Sequence, residues 1–517
     1  MKKTFRRSMA ELHTWTGLLL GWLMLAMFTT GTSAYFQHEI TRWMEPELAA
    51  PRASQGAAAD QAVAYLQQVA PQADSWTITL PSERRVRSQV RWRGAEGSGS
   101  QLLDGRGEAV TVRSTRGGNF LYRFHFDLHY VPALWARYVV GVAAMAMLLA
   151  IISGVITHKK VFARFFSLTL RKGLISWYDG HNMASIFALP FVVMITYTGL
   201  VTLAHQYMPF GARANFPDRA AYFAAAFPRP PAAEAAGEAA ELVPLSTIVE
   251  QASAVWDGAA LASLQVQHPG DANALVHARR SRGATVGTRT PTLTYRGATG
   301  EAVGETARRG GAYATESVLV GLHAGRFAPL ALRWLYFLSG LLGIAMIATG
   351  LVQWTVRRRN RLPDPERPHF GFRVVERLNI AAIAGLGAAL AGYFLANRLL
   401  PPALPSRSDW EVHCFFLAWG GVALWALVRP ARRAWTESLL ATALLFAAVP
   451  LVNALSTSRG LLPSLRAGDW VFVVFDLTML VLALAYGAAA RTAARGSATV
   501  RRRPRQRAGE VVSDAAS

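Results

Sequence analysis

Four histidines stand at the mouths of apolar runs, and they fall into two matched pairs. Ser8-x-x-Glu11-x-His13 opens one run, and Ser176-x-x-Asp179-x-His181 opens another 168 positions later with no gap. Thr-Gly follows each histidine at 17 and 18 positions, as Thr30-Gly31 and Thr198-Gly199. The shared Ser-x-x-acid reads as a capping box at a helix start. Leu128-His129 and Leu322-His323 form the second pair, each opening the next apolar run. Ionisable groups at membrane depth are rare and functional by default. Imidazoles facing each other from symmetry-related helices are what bis-histidine haem ligation requires.

Other histidines compete for these roles. His125 lies one turn before His129, on the same face if that stretch is helical, and is an alternative ligand or a propionate partner. His38 and His205, 25 and 24 positions after His13 and His181, form an alternative outer pair. His158 is a further candidate, although Trp354 stands near its repeat-equivalent position. His268, His277, His369 and His413 read as surface or loop residues. Taken singly, an interfacial histidine is most simply a polar group at headgroup level; the repeated offsets are what favour ligation. The step from His13 to His38 covers roughly 37 Å of helix. His13, His158 and His181 therefore form one layer, and His38, His125, His129, His205 and His323 form another. Two haems in those layers would make an electron path across a bilayer. Gly17, Gly21, Gly31, Gly141, Gly154, Gly199, Gly340, Gly343 and Gly350 would let helices or a flat macrocycle approach closely, although glycine also serves ordinary membrane-helix packing. With no Cys-x-x-Cys-His, any haem is non-covalent, hence b-type. The single Cys414 excludes an iron–sulfur cluster held by this chain alone and reads as a packing residue. No Walker A, Gly-x-Gly-x-x-Gly or His-Glu-x-x-His motif is present, so electrons must come from a partner or a membrane quinol.

The elements that must position these groups are membrane helices. Hydrophobic residues make up 52% of the 517 and charged residues only 17%, a balance too apolar for a soluble protein. Eight runs, near 14–36, 133–156, 183–205, 330–355, 375–397, 411–428, 438–456 and 470–489, approach the roughly 20 residues that cross a bilayer. The net charge of +22 invites a nucleic-acid reading, but its distribution argues against one. Basic blocks (Lys2-Lys3-Arg6-Arg7, Lys159–Lys172, Arg357–Arg361, Arg429–Arg433, Arg501–Arg507) fall at alternate span ends. By the positive-inside rule both termini are cytoplasmic and segments 37–130 and 206–325 lie outside. The first run is too long for a cleaved signal core and reads as an anchor.

The first 355 residues read as a duplication of span, external domain, span. In the external domains, helices near 58–70 and 245–255 precede short strands at 86–93, 274–279 and 293–296. Gly-Glu-Ala-Val recurs at 107–110 and 300–303 as a hairpin signature. The expected fold is a polytopic α-helical membrane protein of about eight spans with two small external α+β domains. Its segments are a first span (1–36), external domain 1 (37–130) and spans 2 and 3 (131–205). External domain 2 (206–325), span 4 (326–358) and a linker (359–371) follow. A four-span module (372–490) and a disordered basic tail (491–517) complete the chain. The Pro/Ala/Glu-rich stretch 228–240 reads as a loose linker.

Leu12-His13-x-Trp15-x-Gly17, Phe126-Asp127-Leu128-His129, Gly321-Leu322-His323-Ala324-Gly325-Arg326 and Thr349-Gly350-Leu351-x-x-Trp354 resemble the PepSY-associated transmembrane family. The resemblance covers about residues 1–360. It implies that the external domains are PepSY modules and that span histidines hold two b-type haems. The added four spans resemble longer members that act as inner-membrane ferrisiderophore reductases of the ferripyoverdine type; shorter members resemble di-haem ferrioxamine reductases. The implied activity is reduction of Fe(III)–siderophore in the periplasm, which releases Fe(II). The implied partners are the ferrisiderophore, membrane lipid, an electron donor (quinol or a cytoplasmic reductase) and periplasmic iron-handling proteins, with no nucleic acid. Arg84, Arg85, Arg87, Arg91, Arg93, Arg279, Arg280 and Arg282 are candidates to attract an anionic chelate. The alternatives are a membrane-anchored PepSY regulatory module and a transporter of a metal chelate.

Overall fold

The computed structural model describes residues 4–48, 53–158, 174–306 and 310–501. The basic block at 159–172, Lys2-Lys3 and the tail beyond Arg501 lie outside the described residues. The chain divides into two compact units, one of residues 1–113 and 117–350, the other of 114–116 and 351–517.

In the first unit, α1 (Phe5–Ala34) leads into the short α2 (Gln37–Met44) and then α3 (Gln55–Val69). Four strands follow: β1 (Ser75–Thr79), β2 (Ser88–Gly94), β3 (Gly97–Leu103) and β4 (Ala109–Val110). The chain then forms α4 (Gly117–Asp127), α5 (Ala133–Thr157) and α6 (Leu174–Thr202). Three short helices, α7 (Ala204–Tyr207), α8 (Phe210–Asn215) and α9 (Arg219–Ala226), lead to α10 (Leu245–Val255). Strands β5 (Leu261–Gln267), β6 (Leu275–Arg280), β7 (Thr292–Arg296) and β8 (Ala302–Glu305) precede α11 (Gly311–Ala324) and α12 (Leu330–Arg359). The order helix, helix, four strands, helix, span thus occurs twice.

The two α+β halves share one sheet, β4-β3-β2-β1-β5-β6-β7-β8, joined where β1 pairs antiparallel with β5. Alternation places Trp76 and Ile78 of β1 beside Leu264 and Val266 of β5 on the buried face. Leu66 of α3 and Ile248 of α10 cover that face, giving both halves one core. Ser54 caps α3 by accepting from the Ala57 amide, and Asp60 accepts from the Ser246 amide at the start of α10. Strand β3 contains Gly99 because Trp92 of β2 lies across it; a β-carbon there would be 2.2 Å from the indole. The 228–240 stretch has neither helix nor strand, but Asp271 pins it by accepting from the Ala236 and Gly237 amides.

The second unit holds α13 (Phe370–Leu399), α14 (Arg407–Val428), α15 (Ala431–Ser456), the short α16 (Leu461–Arg466) and α17 (Trp470–Arg501). Its centre is α13, whose small residues let neighbours approach: Trp419 donates to Ala381 O, Thr442 to Ala384 O and Tyr486 to Ile383 O. At one end Arg407 pairs with Glu411 at 2.6 Å, both fully buried, and Glu411 also accepts from Asn397 and Thr115. Helix α17 continues to Arg501, so the tail expected from residue 491 begins as helix.

Among the described residues eight helices have the length and apolarity to cross a bilayer: α1, α5, α6, α12, α13, α14, α15 and α17. The chain is a polytopic helical membrane protein with an α+β sheet region.

Candidate functional site

Residues Ser8 and Ser176 do not cap their helices. Both lie inside the first turns, because α1 starts at Phe5 after Thr4 and α6 starts at Leu174. The histidines that follow are nevertheless brought together. The ring centres of His13 and His181 are 6.2 Å apart at an interplanar angle of 68°. At the other ends of the same helices, the partner of His323 is His125, with ring centres 6.1 Å apart and planes at 28°.

His129 is not at that site. Helix α4 stops at Asp127, and Leu128 and Tyr130 both take left-handed backbone conformations, φ 48° and 61°. These conformations carry His129 off the helix, where it packs on Phe120 and Tyr130. His38 and His205 are not brought together either. His205 is edge-on to Phe223 at 5.4 Å, and His38 is half-buried beside Arg84, Arg85 and Arg326. His158 is the C-cap of α5, near His13. His277, expected on the surface, is buried in β6 and bonded to Thr294 at 3.0 Å. His413 lies within α14 against Trp410, and His369 caps α13.

All four paired histidines are seated in one way. Nδ1 of His13 meets Ala150 O at 2.7 Å, that of His181 Met346 O at 2.8 Å, that of His125 Met27 O at 2.7 Å and that of His323 Ile195 O at 3.0 Å. Each carbonyl stands one turn before a glycine, and the ring lies over that glycine: Gly154, Gly350, Gly31 and Gly199 respectively. A β-carbon would meet the imidazole at 3.1, 3.1, 2.7 and 2.9 Å. A hydroxyl residue precedes every one of these glycines. Ser153, Thr349, Thr30 and Thr198 each donate to the carbonyl four residues back, with a second contact to the carbonyl that receives the histidine. The small Ser/Thr-Gly pair thus keeps the helix surface flat where the ring must lie.

This arrangement decides the tautomer. A carbonyl only accepts, so each Nδ1 carries the proton and each Nε2 keeps a lone pair. Burial, together with the neighbouring His125, pushes His323 down to about 4, and burial lowers His125, so both rings are neutral at pH 7.

The spacing fits a shared metal. With metal–imidazole bonds of about 2.0–2.1 Å and roughly 1.1 Å from ring centre to nitrogen, two imidazoles that shared one metal ion would have centres up to about 6.3 Å apart. Both observed separations match. Among the described residues no group of three or more His, Cys, Asp or Glu could hold a metal ion, and each pair would offer two protein ligands to the iron of a haem. A β-carbon at Gly17, one turn after His13, would have nothing within 4 Å, which leaves room beside that ring. Residues and spacing therefore fit haem at both ends of the first unit.

Fold and geometry together define a polytopic membrane protein with two histidine pairs, each ring seated over a glycine in the same way. The PepSY-associated TM region matches residues 10–357, more than half of the chain, and the protein belongs to that family. A search of curated proteins found no match.

Proposed function

We propose that the protein is a haem-b-containing reductase of the bacterial inner membrane. It passes electrons outward to a periplasmic Fe(III)–siderophore and releases Fe(II) for uptake. The observation that carries this reading is the double imidazole pair, 6.2 and 6.1 Å apart, with every Nδ1 bound to a carbonyl. Haem held there supplies a one-electron store at each end of the helices.

The chain's own residues do the rest. The four carbonyls fix each ring's tautomer and raise the basicity of its Nε2. Helices α1 and α6 carry one histidine near the start and one glycine seat near the end. Their 18-residue separation spreads the two sites by roughly 27 Å along the axis. The charge blocks argue for cytoplasmic termini and a periplasmic sheet, with the His125–His323 site on the periplasmic side. The electron donor is a quinol or a cytoplasmic reductase. Chelate reduction weakens iron binding because hard oxygen donors favour the more highly charged ion. Two of the arginines credited with attracting the chelate have other work, since Arg84 is held by Glu39 and Arg87 by Glu45.

The test is anaerobic reoxidation of the dithionite-reduced protein by iron-loaded siderophore, with Fe(II) trapped by ferrozine. The gallium-loaded analogue should not reoxidise it. Equal rates for both, or none for any ferric chelate, would favour a regulatory anchor or a transporter.

A further inference from the structure

The two flanks of the His125–His323 pair are unequal in a way that the internal symmetry does not require. His125 corresponds to His323, so Tyr122 corresponds to Val320 and Arg326 to Leu128. On one flank Arg326 follows His323 just past the left-handed Gly325. Its guanidinium donates to the Tyr122 hydroxyl at 3.3 Å and lies 5.8 Å from that ring centre. Tyr122 is one turn before His125 on α4. On the other flank Leu128 packs with Met27, Val140 and Ala143. The Arg326 edge of the imidazole pair is therefore cationic and hydroxylic, whereas the arginine near Leu128 on the other flank, Arg137, is paired with Asp127.

The cationic edge lacks an anion. The nearby Arg84 and Arg333 share Glu39, at 2.8 and 3.0 Å, but Arg326 has no carboxylate partner among the described residues. Burial, reinforced by Arg84, Arg85 and Arg326, pushes His38 down to about 3, so His38 adds no charge and supplies no counter-ion. A half-buried guanidinium holding only a phenol leaves most of its donors unused. Its planar fork matches a carboxylate. Haem carries both its carboxylates on one edge.

We propose that Arg326, assisted by the Tyr122 hydroxyl, anchors a carboxylate of the group held between His125 and His323, so that the propionate edge of a haem faces Arg326. This rests on reading the histidine pairs as haem ligands. The anchor is an ion pair, and it positions the macrocycle rather than reacting. It also offsets propionate charge near the iron, which favours the reduced state. A carboxylate of a bound chelate is the other source of the same chemistry.

The test is potentiometric titration of the full-length, haem-loaded Arg326→Gln protein, with Arg326→Lys as the charge-retaining variant. One midpoint should fall, by about tenfold in the reduction equilibrium or 59 mV for one electron. The other midpoint should stay, and Arg326→Lys should recover most of the loss. Binding of gallium-loaded siderophore should be unchanged. Haem present with neither midpoint moved, or with both moved equally, would overturn the anchor while leaving the histidine reading intact. Unmoved midpoints with weakened gallium-chelate binding would overturn it in favour of a substrate site. Wild-type protein without haem would remove the histidine reading and the anchor with it.

Discussion

Replacing Gly31 with alanine should weaken haem binding at the His125–His323 site by about 10–100-fold while leaving the stability of the fold nearly unchanged. The new methyl carbon would lie 2.7 Å from His125 Cε1 and Nδ1 and 3.3 Å from Cγ. Unbonded carbons rest at about 3.5–4.0 Å, so the ring must retreat by about 0.8 Å or more. That stretches the 2.7 Å bond from Nδ1 to Met27 O to about 3.5 Å, beyond hydrogen-bonding range. The lost bond is worth about 1 kcal/mol. Loss of such a supporting partner typically costs about 10–100-fold in metal affinity. The helix itself gains about 0.5–1 kcal/mol, because alanine replaces glycine within it. The two effects have opposite signs, so a thermal melt and a haem titration separate them. Gly199→Ala, at 2.9 Å, should be nearly as damaging, and Gly154→Ala and Gly350→Ala, at 3.1 Å, milder and confined to the His13–His181 site. Gly420→Ala, on α14 outside the unit that holds both pairs and with nothing within 4 Å, is the control. Full haem content and an unmoved outer midpoint in Gly31→Ala, or an equal loss in Gly420→Ala, would refute the seating of His125 on Gly31.

Three further outcomes follow from the same geometry. His125→Ala should abolish the outer haem signal, whereas His129→Ala should leave it; the reverse result in a spectral titration would return the ligand role to His129. Oxidised protein should give two low-spin ferric EPR signals. Rings at 28° split the iron d orbitals and give a rhombic spectrum, and rings at 68° leave them closer to degenerate with a larger maximum g. A single signal type would contradict this. Glu411→Ala leaves fully buried Arg407 without its partner, and should destabilise the second unit by about 3–5 kcal/mol in a denaturant titration; a change under 1 kcal/mol would show the pair to be dispensable.

The spans were legible because an apolar run of twenty residues is a local property. The His13–His181 match was legible because α1 and α6 repeat without a gap. At the outer pair the structure sets His125, rather than His129, against His323, and the reason is physical. In the second repeat the helix stop is signalled by Gly325, but in the first Leu128 takes the left-handed conformation, which its identity does not announce. Leu128-His129 therefore looked equivalent to Leu322-His323. Ser153-Gly154 went unrecognised beside the Thr-Gly pairs because its hydroxyl residue differs. Helices α3 and α10 were found from their periodicity. Strands β1 and β5 were not, and their pairing, which joins the two α+β halves into one sheet, links residues far apart in the chain.

Each imidazole pair is expected to hold one haem. The most direct measurement is a pyridine haemochrome assay on folded protein purified from haem-replete cells, set against protein concentration. Two b-type haems per chain, falling to one in His181→Ala and to one in His323→Ala, is the expected result. A folded protein that binds no haem would contradict the claim.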